Sequence, residues 1–105
     1  MDPDIQELIT VLEDLANLLE ADGNEHWATW ARKGSGRLLN SDYAGIEYVL
    51  SGYGGMGSFN DIILGQSYDG GDLSSKRGHI EENERFNALR SRAWELAGAI
   101  RQSQS

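Results

Sequence analysis

Over the first twenty positions, apolar residues return at steps of three and four. Ile5, Leu8, Ile9, Leu12, Leu15, Ala16 and Leu19 fall on one side of a helical wheel. That period predicts a helix from Asp2 to Ala21 with this face in the core. Asp2 suits the N-cap, Pro3 the first helical position, and Asp4 the positive end of the helix dipole. Asp22-Gly23 predicts the stop, because glycine enters the left-handed conformation that releases the chain.

Asn24 can cap a second helix, in which Trp27, Trp30, Ala31, Gly34 and Leu38 form the inner stripe and both tryptophans belong to the core. Gly34 and Gly36 each cost roughly 1 kcal/mol in a helix interior, so they mark either a close neighbour or a break. A third, shorter helix capped by Ser41 or Asp42 carries Tyr43, Ile46, Val49 and Leu50 on one side and ends near Gly52. The last segment, about 79 to 102, is helical again, with Phe86, Leu89, Ala93, Leu96, Ala97 and Ile100 aligned. Trp94 lies to the side of that face with Arg90 and Arg101, on a flank that is either an interface or a packing seam with the first helix, and complementary charge favours the seam. The fold class expected is all-α: a single-domain antiparallel bundle of three long helices and one short one, spanning residues 1–102, with a disordered tail at 103–105.

Between Gly52 and Gly71 the periodicity disappears. Seven glycines surround the short run Ile62-Ile63-Leu64. Ser58 to Asp61 has the spacing of a capping box, which predicts a turn or two of helix over 59–64. A strand competes, since Tyr48-Val49-Leu50 and Ile62-Ile63-Leu64 flank a glycine turn. At least one of Gly54, Gly55 and Gly57 is expected at positive φ, holding Phe59 against the bundle and Asn60-Asp61 at the surface. Gly52, Gly54 and Gly57 match the spacing of a dinucleotide-binding fingerprint, but that site needs a preceding strand and a following long helix. No Lys-Ser/Thr pair follows, so a P-loop is excluded as well. Anion capture by free amides and a tight structural turn both remain open.

Charge changes the picture more than composition does. Eight acids (Asp2, Asp4, Glu7, Glu13, Asp14, Glu20, Asp22, Glu25) precede the first Lys or Arg, and beyond Glu25 nine acids face nine bases. The net charge of −8 therefore belongs to one segment of the 105-residue chain. Such a segment repels nucleic acid and anionic membranes and attracts basic protein partners. Within it Asp4, Glu7, Val11, Asp14 and Leu18 form a second stripe beside the main apolar face. As a partner-binding surface, its aliphatic pair would supply buried contact and its carboxylates orientation and on-rate. The competing account is a first helix buried on two sides, its carboxylates fringing the core.

Catalysis has no support in the sequence. There is no cysteine, so thiol chemistry, thiolate zinc and disulfides are absent, as suits a reducing compartment. His26 and His79 have carboxylates nearby in Glu25 and Glu82 but no third ligand at a convincing spacing, so no metal or other cofactor is expected. The beginning Met-Asp-Pro-Asp and the lack of a long apolar run lead to the expectation of a cytoplasmic protein with no export signal and no membrane contact.

The run Leu19-Glu20-Ala21-Asp22-Gly23-Asn24-Glu25-His26-Trp27 with Trp30, then Ile46-Glu47, then Tyr53-Gly54-Gly55-Met56-Gly57-Ser58-Phe59-Asn60-Asp61, resembles an uncharacterised family of small bacterial domains of unknown function. The resemblance covers roughly residues 5 to 65. It implies no activity, but it implies that the glycine segment is a family hallmark. Tyr53, Gly54, Gly55, Met56, Gly57, Phe59, Asn60 and Asp61 are thereby candidates for a loop site. The function expected is an acidic protein-binding module, in the manner of an immunity protein or antitoxin, with homo-oligomerisation left open. The alternative is a small-ligand or anion-binding domain that uses loop 52–61.

Overall fold

The computed structural model describes residues 2–53, 66–69, 72–75 and 80–104. Four helices among them carry the fold: α1 (Pro3–Ala21), α2 (Glu25–Leu39), α3 (Ala44–Ser51) and α4 (Ile80–Gln104). Between α3 and α4 lies a short antiparallel hairpin of β1 (Gln66–Asp69) and β2 (Asp72–Ser75), pairing Tyr68 with Leu73. The sequence signals had placed no strand there. The short helix expected over 59–64, its competing strand at 62–64 and the positive-φ glycines expected among Gly54, Gly55 and Gly57 lie outside the described residues.

Local chemistry sets the helix ends. The Asp2 carboxylate accepts the Asp4 N–H at 2.8 Å. At the far end of α1, Gly23 takes φ +82°, the Gly23 N–H donates to the Glu20 carbonyl at 3.0 Å, and the Asn24 N–H donates to that of Leu19 at 2.8 Å. Two orphan carbonyls are thus satisfied by the paired bonds of a Schellman motif. Asn24 then turns to α2 and accepts the Trp27 N–H at 3.2 Å, so one residue closes one helix and opens the next. Asp42 does the equivalent for α3, accepting the Ala44 N–H at 3.1 Å, while Ser41 absorbs the turn at φ +60°.

The core lies between α1 and its neighbours. Leu8, Leu12, Leu15, Leu19, Leu38, Ile46, Val49 and Phe86 are almost wholly buried. Helix α1 packs on both α2 and α4, α2 also on α3, and α3 on α4. Gly34 is a close approach: a Cβ there would sit 3.1 Å from Val49 Cγ2 and 3.5 Å from Leu12 Cδ1. Gly36 has open space, and neither glycine breaks α2.

Three expectations need correction. Tyr43 is 48% exposed, because α3 begins one residue later and the helical phase does not reach back to it. Trp27, Trp30 and Leu89 are half-buried, packed against the core rather than inside it. Helix α4 runs through Gln104, two residues into the expected disordered tail, with the Ser103 hydroxyl donating to the Ile100 carbonyl at 2.9 Å.

Candidate functional site

The acidic stripe of α1 is divided by the packing. Asp4 is exposed, Asp14 is half-buried, and Leu18 rests half-buried against the core. Val11 is only 6% exposed and belongs to the core, so it offers no docking contact. The reason is that α1 has helices on two sides, which widens its buried arc beyond the main apolar face.

Several of its carboxylates reach across to neighbouring helices. Glu7 receives two bonds from the Arg92 guanidinium on α4, at 2.5 and 3.0 Å. Those bonds hold its carboxyl below the usual carboxylate range and raise the Arg92 pKa. Arg92 also reaches Glu95 at 3.4 Å. Glu20 pairs with Arg32, and Glu13 accepts the hydroxyl of buried Ser35 at 3.2 Å. Among the described residues the polar link between α4 and the acidic helix is made by Arg92, while the ring contact of Trp94 is to Tyr53.

Tyr53 follows α3 directly and is buried. Its hydroxyl donates to the Arg90 carbonyl at 2.7 Å, and burial pushes the phenol well above its ordinary range, with Arg90 opposing the shift. Among the loop-site candidates it alone is described, and its side chain ties α3 to α4. Gly54, Gly55, Met56, Gly57, Phe59, Asn60 and Asp61 lie outside the described residues.

Around Tyr53 the aromatic side chains form a connected row. His26 meets Trp27 edge-on at 5.2 Å, Trp27 meets Trp30 at 5.1 Å, and Trp30 meets Tyr53 at 6.5 Å. Tyr53 meets Trp94 at 5.1 Å. Trp94 ends the row 48% exposed, beside a concavity of about 520 Å³ bounded by Tyr53, Arg90, Ser91 and Glu95. The outer arc of α4 thus runs from Trp94 through Ser91 and Glu95 to Arg92 and, across it, to Glu7 on α1. Sequence reasoning missed Arg92 and Glu95, because a contact between positions 7 and 92 leaves no local trace.

Among the described residues no three His, Asp or Glu side chains converge as a metal site would require, and no helix is long and apolar enough to cross a membrane. His79 lies outside those residues. A family model described as a domain of unknown function, DUF6966, matches residues 20–74. That span takes in α2, α3 and the whole glycine-rich segment and leaves out most of α1 and all of α4. No curated protein and no solved structure matches the chain.

Proposed function

The chain belongs to the DUF6966 family, whose description names no activity, and we propose that it is an acidic protein-binding module, a binder rather than an enzyme. The observation that carries this is Trp94: a large aromatic residue, 48% exposed, held against Tyr53 and flanked by the carboxylate of Glu95. Tryptophan is enriched among residues that dominate binding energy, and a side chain already fixed by a neighbour loses little freedom on docking.

The partner we infer is basic. Glu95 on α4 lines the concavity beside Trp94 and is linked through Arg92 to Glu7 on α1, Asp4 lies three residues before Glu7 and is exposed, and the first 25 residues carry eight acids and no base. Charges of that kind raise association rate, while the desolvated aromatic contact slows release. This relocates the anchor from Val11 and Leu18 to Trp94 and keeps the acidic residues in their steering role. An immunity-protein-like or antitoxin-like role in a bacterial cytoplasm is the biological form of the proposal.

The architecture that presents this face is, in our reading, an antiparallel bundle. Its support is that side-chain contacts between α1 and α2 pair Glu20 with Arg32 and Glu13 with Ser35, falling in one helix as they rise in the other.

The test is binding kinetics against the partner recovered with this chain from its native host. Trp94→Ala should speed dissociation at least tenfold with little change in association, and Asp4→Lys with Glu7→Lys should slow association at low salt, the deficit shrinking as salt rises. Unchanged kinetics in both folded variants would remove this face from the account.

A further inference from the structure

A second concavity, of about 420 Å³, shares no lining residue with the one beside Trp94. Its volume falls within the roughly 300–1,000 Å³ typical of small-molecule sites. The floor is aromatic: Trp27 and Trp30 meet edge-to-face, and Tyr48 lies nearly parallel to Trp30 at 6.1 Å. The rim is polar and comes from α2, where Glu25, His26, Thr29 and Lys33 are all exposed.

The charges on that rim select the ligand. Glu25 and Lys33 are eight residues apart on one helix, about 12 Å along its axis, and take part in no ion pair found among the described residues. A ligand with net positive charge would meet Lys33, and one with net negative charge would meet Glu25 and the acidic α1 field. A small zwitterion is too short to satisfy both ends. What fits is a neutral molecule with a ring to lay on the indoles and with hydroxyl donors and acceptors along its length.

We propose that this concavity binds a neutral saccharide of about two sugar rings. The apolar C–H faces of the rings pack on those parts of the Trp27 and Trp30 indoles that line the concavity. Hydroxyls at one end donate to the Glu25 carboxylate, with His26 beside it, and those at the other accept from the Lys33 ammonium, with Thr29 serving the middle. Arg37 already sits over the Tyr48 ring, 4.9 Å from its centroid, so that ring is fixed as part of the floor. The site is independent of the protein-binding face, and its failure would leave that proposal untouched.

The experiment follows the three indole N–H signals by nuclear magnetic resonance while cellobiose, maltose, lactose and diacetylchitobiose are titrated into the full chain. Saturable shifts of Trp27 and Trp30 with at least one disaccharide, with Trp94 unmoved, are expected. Trp27→Phe should weaken that binding about tenfold, and Glu25→Gln and Lys33→Gln several-fold each. The last two residues are exposed, so their variants should melt like the parent and remain interpretable. Tetramethylammonium chloride and inorganic phosphate are titrated in parallel. The proposal is overturned if none of the four sugars moves Trp27 or Trp30 at tens of millimolar, if either ion moves them instead, or if Trp94 shifts equally.

Discussion

Gly52→Ala should destabilise this protein, although backbone propensity alone predicts the opposite. Gly52 caps α3 at φ −70° and ψ −15°, a conformation open to any residue. Replacing glycine by alanine in such a conformation normally stabilises by about 0.4–1 kcal/mol, by restricting the unfolded chain. Here a Cβ would overlap the indole of Trp30, lying 2.8 Å from Cε2 and nearer still to Cζ2. The ring must retreat by roughly 1 Å to restore ordinary contact. It is held by Trp27, Tyr48 and Tyr53, so overpacking of about 1–3 kcal/mol outweighs the backbone gain. The net expectation is a loss of about 1–2 kcal/mol, or a fall of roughly 5–10 °C in Tm for a domain of this size. Trp30→Leu removes the obstructing ring atoms while keeping an apolar side chain. In that background Gly52→Ala should become neutral or stabilising, a reversal of sign that urea melts of the four proteins would detect as a coupling above 1 kcal/mol. A stabilising Gly52→Ala in the parent, or no coupling to Trp30→Leu, would refute the contact between Trp30 and Gly52.

Gly23→Ala meets no atom within 4 Å, so its cost is purely conformational: forcing alanine to φ +82° should lose about 1–2 kcal/mol in a chemical melt, and Gly36→Ala should lose nothing. Tyr53→Phe should cost about 1 kcal/mol through its lost bond to the Arg90 carbonyl. Because the folded phenol titrates above its unfolded value of 10.0, its stabilisation is full below that pH and declines as pH rises past it; stability measured from pH 8 to 11 should therefore fall less steeply in Tyr53→Phe than in the parent. Glu7 has the opposite sign: its depressed folded pKa contributes stability above the ordinary value of 4.5 that is lost as pH falls through the folded one, so Glu7→Gln should flatten the acid limb of the stability profile. Val11→Ser should lower Tm before any partner is added, by about 2 kcal/mol of lost burial; an unchanged melt would return Val11 to the surface.

The helices were legible in the sequence because the signals that start and stop them act over two to five residues. Asp2 and Asn24 cap through their own side chains, Gly23 takes the positive φ that only a residue without Cβ adopts freely, and the apolar period of α1 names its buried face. Such local rules hold whatever the helix later packs against. Burial at the margins follows a different rule, since it depends on how many neighbours a helix acquires. Helix α1 gained two, so Val11 joined the core; α2 turned so that Trp27 and Trp30 remained half-open; and Trp94, carried on the outer side of α4, came to rest on Tyr53 from the other side of the glycine-rich segment. The acidic segment was evident from a count of residues. Which of its carboxylates would be engaged was not, because Glu7 meets an arginine 85 positions away and only the packing of α1 on α4 brings the two within hydrogen-bond reach.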